Sequence, residues 1–266
     1  MTRAIAAKFA ELKGAKHKAF IPFITAGDPD LETTIRLVSE LERAGSHIVE
    51  LGIPFSDPVA DGPVIQRASE RALKHGYRFA DYLSAVKMIR RESAIPIILF
   101  SYFNPVLQYG LERLAQDARS AGVDGVLVTD MTPEEGGDYC ACLERHGLDP
   151  VFLVAPTSDD QRVKTIARCS RGFIYLVSRT GITGERENLS DSIAPTLARV
   201  RKHSDLPVAV GFGISRPEHV RDVWKIADGA VVGSAIVAQI EKEGLSRELP
   251  ARIGAFCRWL TGIQDA

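Results

Sequence analysis

The sequence predicts a single (β/α)₈ TIM barrel over residues 1–266, with an extra helix at its start and a short helix after the eighth strand. Three observations carry that prediction. Eight short, nearly continuous apolar runs recur along the chain, and segments with a helical apolar period separate them. The length of 266 residues matches the roughly 250 of a typical barrel of this kind.

Ile5, Phe9 and Leu12 follow one another at spacings of four and three, the stripe of an amphipathic helix that covers something. The strand runs then follow as Ala19–Thr25, His47–Ile53, Pro96–Tyr102, Gly125–Thr129, Pro150–Ala155, Phe173–Ser178, Pro207–Phe212 and Gly229–Gly233. Between them, Leu31, Ile35, Val38 and Leu41 share one helical face, Tyr82, Val86 and Ile89 another, and Leu111, Leu114 and Ala118 a third. Breakers such as Ala44-Gly45, His146-Gly147 and Ala227-Asp228-Gly229 precede most strands, which spaces the units by about thirty residues. Such alternation means a parallel sheet with right-handed crossovers. No Pro/Ser-rich linker or composition step divides the chain, so one domain is expected, and a doubly wound open sheet is the alternative to a closed barrel.

Composition removes several functions. Lys and Arg number 33 against 34 Asp and Glu, a net charge of −1, so no basic excess is available to hold nucleic acid or an anionic membrane. No apolar run reaches the ~18 residues of a membrane span. The start, MTRAIAAKFAELKGAKHK, lacks the apolar centre of a secretory signal, which points to the cytoplasm. Cys140, Cys142, Cys169 and Cys257 form no C-x-x-C pair and read as free thiols. The six histidines show no pair at metal-ligand spacing, so no metal site is expected. A G-x-S-x-G elbow, a P-loop and a lysine within any strand run are all missing.

In either α/β architecture the ligand lies at the carboxyl ends of the strands, and there the second and sixth connecting segments are long. Glu50 lies inside the apolar run HIVELGI, where a carboxylate must be paired, hydrogen-bonded or useful. Asp61 follows eleven residues later in a loop stiffened by Pro54, Pro58 and Pro63. Two carboxyls at one mouth can divide labour, the drier exchanging a proton and the wetter staying ionised, with Glu50 the drier. The alternative is a strand-end Glu50 salt-bridged to a barrel Lys or Arg, with Asp57 and Asp61 as turn residues. After strands seven and eight, Gly211-Phe212-Gly213 and Gly233-Ser234 bring backbone N–H groups close to an anion, and a helix starting at Ser234 aims its positive end there. The sixth loop, SRTGITGERENLS, has Gly181 and Gly184 around Thr183 and the composition of a lid or of a solvated loop. Tyr175, Phe23, Phe100, Tyr102, Leu127 and Phe212 stand in strands or at their ends, where they line a pocket or fill the core.

The segment ELGIPFSDPVADGPVIQRA, residues 50–68, resembles the signature of the α subunit of tryptophan synthase. The likeness continues in FIPFITAGDPD, SYFNPVLQYG, the PEE that follows Asp130, YLVSRTGITGER, GFGIS and GSAIV. It implies a (β/α)₈ lyase of tryptophan biosynthesis that cleaves indole-3-glycerol phosphate to indole and glyceraldehyde 3-phosphate by a retro-aldol reaction. Matched residue by residue, it implies catalytic roles for Glu50, Asp61 and Tyr175, and a phosphate site at Gly184, Gly213, Gly233 and Ser234. It further implies a lid at Thr183 and an indole pocket of Phe23, Phe100, Leu127, Thr129 and Phe212. No metal or cofactor is implied in this chain; pyridoxal phosphate is implied in a β subunit that receives indole within an αββα heterotetramer. Met131 and Thr132 stand where many members have Leu and Pro, and Thr129 where Ala is frequent, which changes the detail of the pocket. Another phosphate-binding barrel enzyme, or a non-catalytic barrel that only activates a partner, are the competing readings.

Overall fold

The computed structural model describes residues 3–177, 189–211 and 213–263. The first half runs α1 (Ala4–Gly14), β1 (Ala19–Thr25), α2 (Leu31–Arg43), β2 (Val49–Gly52), α3 (Pro63–Leu73), α4 (Phe79–Ile89), β3 (Ile97–Ser101), α5 (Phe103–Tyr109), α6 (Leu111–Ala121), β4 (Gly125–Val128) and α7 (Gly137–Arg145). The second half runs β5 (Asp149–Val151), β6 (Leu153–Val154), α8 (Asp160–Cys169), β7 (Ile174–Val177), α9 (Leu189–Arg201), β8 (Val208–Gly211), α10 (Pro217–Ile226), β9 (Gly229–Val232), α11 (Ser234–Glu243) and α12 (Leu249–Thr261). No helix among the described residues is long and apolar enough to cross a membrane.

Every strand pair is parallel, in the order β5-β4-β3-β2-β1-β9-β8-β7-β6. β5 and β6 are halves of the fifth expected run, which changes neighbour at Phe152: β5 bonds to β4 and β6 to β7. The sheet therefore closes on itself, and nine strands amount to the eight of a (β/α)₈ barrel. The second run is shorter as a strand than as an apolar stretch; just before it His47 bonds Phe20 twice, its N–H to the Phe20 carbonyl and its Nδ1 accepting from the Phe20 N–H, each at 3.0 Å.

Most strand positions are buried on both faces, which is why the runs are apolar without alternation. Ala19 and Ile21 face inward with Ile48, Ile98, Leu127, Val151, Ala209 and Val231. Phe20 and Ile24 face outward and pack with the helices through Leu37, Leu41 and Val86. The apolar stripe of α1 belongs to the inner cluster: Ile5, Phe9 and Leu12 are buried, and Phe9 stacks at 5.7 Å on Phe173, just before β7. The helix thus caps the end of the barrel where the strands begin. Arg3 fastens it by an ion pair of 2.6 Å to the buried Asp149 at the start of β5.

At the other end, α11 follows β9 directly from Gly233, and α12 completes the outer ring against α2. The short helix after the eighth strand run is therefore present, starting at Ser234 as expected. Phe9→Ala is expected to lower stability by about 3–5 kcal/mol, because a ring is removed from a cap that cannot collapse into the barrel. Urea unfolding of parent and variant measures the difference.

Candidate active site

Glu50 sits in β2 opposite Phe23 of β1 and Ile98 of β3. It alternates with Ile48, which faces the barrel interior, so Glu50 points inward too. Its exposure is 0%, and neither carboxyl oxygen has a hydrogen-bond partner among the described residues. Among the described residues no Lys or Arg makes the salt bridge of the alternative reading. With burial as the cause, the carboxyl is pushed up to about 8, so its neutral form dominates at neutral pH.

Asp61 lies half-buried at the end of the loop after β2. Its Oδ2 accepts a hydrogen bond of 3.0 Å from the Tyr102 hydroxyl, and the same hydroxyl accepts one of 3.0 Å from the Ala60 N–H. Gln66 of α3 donates to the Asp61 carbonyl at 2.9 Å, and Phe55 packs on the Tyr102 ring at 5.2 Å. Burial raises the Asp61 carboxyl, while the Tyr102 hydrogen bond acts in the opposite sense. Asp57 is exposed and accepts from its neighbour Ser56, the turn residue that its position predicts.

Tyr175 of β7 lies close enough to both carboxyls that their charges, after burial, raise its hydroxyl well above the ordinary range. Glycines make room for the rings at this level. A Cβ at Gly211 would overlap the Tyr175 hydroxyl, and one at Gly52 would come within 2.5 Å of Phe23 Cζ. Phe23 and Phe100 meet edge to face at 5.1 Å and, with Asp61 and Tyr102, line a narrow cleft that opens to solvent. Thr25, Ile65 and Ser69 line the same cleft, and reading the sequence alone missed them. The signal was present: Thr25 ends its strand at the mouth, and Ile65 and Ser69 share a helical face four residues apart.

The remaining expected residues fall in different places. Leu127 is fully buried in the inner cluster below the cleft. Thr129 follows β4, its N–H bonded to Ser101 O at 2.9 Å, beside the Tyr102 backbone. Gly213 is exposed in a left-handed turn at φ 76° shortly after β8, and Gly233 follows β9 and caps α11, with Ser234 as the helix's first residue. Thr183, Gly184 and Phe212 lie outside the described residues. A chain of ion pairs holds α11 to the second loop's helix: Arg71 grips Asp28 through two contacts of 2.8 Å and Glu241 at 2.7 Å, and Arg67 meets Glu241 at 2.7 Å.

The buried acid has a thermodynamic signature. Exposed in the unfolded chain, the Glu50 carboxyl titrates near 4.5, and in the fold near 8. Between these values the folded protein keeps a proton that the unfolded chain releases, so stability falls as pH rises through the window. Glu50→Gln, neutral at every pH, is expected to exceed the parent by a few kcal/mol at pH 8–9 and to lose that advantage near pH 4. Denaturant midpoints across pH 4–9 test this, and parallel curves would contradict it.

The chain matches the profile of the tryptophan synthase alpha chain family over residues 9–258. It is 53% identical over 260 residues to the tryptophan synthase alpha chain of Solibacter usitatus, covering 98% of this chain and 97% of that one. It is 50% identical to that of Geobacter sulfurreducens over 95% of this chain and 97% of the relative. Among solved structures, it superposes on tryptophan synthase subunit alpha of Legionella pneumophila with a TM-score of 0.87 at 36% identity, covering 99% of this chain and 100% of that one. A chain of the tryptophan synthase α₂β₂ complex of Pyrococcus furiosus gives 0.86 at 40% identity, with 92% and 98% covered. With the barrel, its inward glutamate and near end-to-end likeness to these proteins in hand, the chain belongs to the tryptophan synthase alpha chain family.

Proposed function

We propose that the chain is the lyase of the last steps of tryptophan synthesis, splitting indole-3-glycerol phosphate into indole and glyceraldehyde 3-phosphate. The observation that carries the mechanism is Glu50, a carboxyl held dry and without a partner among the described residues inside the barrel mouth. Cleavage needs a proton delivered to indole C3 and another taken from the hydroxyl on the adjacent side-chain carbon. A neutral Glu50 gives the first proton. Its carboxylate then takes the second, the C–C bonding pair returns to the indole ring, and the hydroxyl carbon becomes the aldehyde. A carboxyl with a pKa near neutrality serves both steps, and Glu50 ends the cycle protonated as it began.

Asp61 accepts the indole N–H and stabilises the positive charge that C3 protonation puts on the ring. Tyr102 fixes where that carboxylate stands, and Tyr175 of β7, whose hydroxyl feels both carboxyls, is assigned a catalytic role on the resemblance. Phe23 and Phe100 receive the apolar ring. The phosphate goes to the backbone N–H groups around Gly213, Gly233 and Ser234 at the start of α11, where a helix end favours an anion. Thr183 and Gly184 are assigned to the lid and phosphate site on the resemblance alone. Both proton transfers use this chain's carboxyls, and pyridoxal phosphate is assigned to a β subunit that takes up the indole.

That partner would assemble with the chain in the cytoplasm as αββα. Val59 of the second loop, 85% exposed, and Leu107 of α5, 57% exposed, offer it apolar contacts on the mouth side. The Pyrococcus furiosus relative, a tryptophan synthase α₂β₂ complex, supports the same reading. Intact Glu50 and Asp61 speak against a barrel that only activates a partner.

The test is to incubate the purified chain with indole-3-glycerol phosphate, alone and with a β subunit, and to measure indole. Indole is expected in both, and none in either would overturn the assignment. Glu50→Gln is expected to lose about 10²–10⁴ of the rate while keeping its circular dichroism spectrum. Tyr102→Phe removes one hydrogen bond to a carboxylate and is expected to cost roughly tenfold to a hundredfold in kcat/KM. An unchanged value would release Tyr102 from its positioning role.

A further inference from the structure

Far from the mouth in function, a second cluster of titratable groups sits on the outer wall where α6 and α7 pack. Glu112 lies in the first turn of α6, Cys142 in α7, and His146 is the residue that ends α7. Cys142 and His146 are four residues apart, so both project from one face of the helix toward α6. Cys142 Sγ lies 3.3 Å from Glu112 Oε2, and His146 Nε2 lies 2.7 Å from Glu112 Oε1. Their three ligand atoms all fall within 4.8 Å of one another, and among the described residues no other such group of three occurs.

Those spacings are close to what a metal needs. Tetrahedral zinc, with bonds of about 2.0–2.3 Å, holds neighbouring ligand atoms roughly 3.3–3.8 Å apart. The donor set is one thiolate, one imidazole nitrogen and one carboxylate oxygen, types that zinc accepts together. Cys142 is buried and fixed in place, whereas Glu112 is 63% exposed and free to adjust. Without a metal the cluster is satisfied by protons and by Arg145, which meets Glu112 Oε2 at 2.7 Å. That exchange is cheap on the Arg145 side, because an exposed ion pair contributes ~1 kcal/mol or less. Two ligands on one helix and one on its neighbour would then pin α6 to α7.

We propose that Glu112, Cys142 and His146 form a binding site for a zinc-like divalent cation, with water completing the tetrahedron. Binding converts the Cys142 thiol to a thiolate and releases its proton to solvent, His146 binds as the neutral imidazole through Nε2, and Glu112 exchanges Arg145 for the metal. Counting histidine pairs and C-x-x-C spacings passes over this arrangement, since its signature is Cys-x-x-x-His plus one carboxylate thirty residues upstream of the cysteine.

The test uses the untagged, reduced, full-length chain freed of metal and titrated with cobalt(II). One equivalent is expected to produce thiolate-to-cobalt absorption, which zinc(II) then abolishes by displacement. Cys142→Ser should eliminate the band, and His146→Gln should weaken binding by at least the ~10–100-fold that loss of an outer-shell partner already costs. Cys140→Ser and Cys169→Ser should keep it. The thermal midpoint of the parent should rise with zinc and return with chelator, and that of Cys142→Ser should not respond. Absence of a saturable band, or its survival in Cys142→Ser, overturns the proposal. Should Cys142→Ser fail to fold, His146→Gln decides, and unweakened cobalt binding there overturns it equally.

Discussion

The rest of this molecule depends on the dryness of a closed parallel barrel. Once β5 and β6 complete the ring, inward positions such as those of Ile48, Glu50 and Ile98 are sealed from water by neighbours on both sides, and the strand starts are covered by α1. Aliphatic side chains gain from that position. Glu50 occupies one as well, and it stays there by keeping its proton, because an unpaired carboxylate in such surroundings would cost several kcal/mol. Among the described residues, the acid strength of the site is thus a consequence of barrel geometry rather than of any partner that tunes Glu50.

Asp61 shows the contrasting case. It stands on a loop, half-buried, with a hydroxyl donating to its carboxyl, a contact that opposes the upward push of burial and that Glu50 lacks among the described residues. Tyr102 joins the two situations, since it leaves β3 at the barrel rim and reaches the loop that carries Asp61. One residue therefore sets the position of a loop carboxylate relative to a rigid strand. The division into a dry acid and a wetter anion needs both a rigid wall and a loop anchored against it.

Stability is traded for this chemistry. The glycines at 52 and 211 give up side-chain packing so that Phe23 and Tyr175 can lie across the mouth, and Glu50 makes the fold less stable as pH rises. Compensation comes from the opposite end, where α1 buries Ile5, Phe9 and Leu12 and Arg3 pairs with Asp149. Function at one end of the strands and stability at the other is the usual division of labour in such barrels.

Much of this was legible in the chain itself. The eight apolar runs, the capping stripe of α1, the helix starting at Ser234 and the anomaly of Glu50 all follow from periodicity and from residue types in improbable places, which are local properties. What tertiary structure alone decided concerns atoms distant along the chain: that no cation among the described residues reaches Glu50, that Tyr102 holds Asp61 from 41 residues away, that Leu127 lies beneath the cleft, and that Glu112 meets Cys142. The reason is physical. Local sequence sets which way a side chain faces and how dry its face is, whereas hydrogen bonds, proton affinities and ligand sets depend on what the closed sheet and its helices bring within a few ångströms.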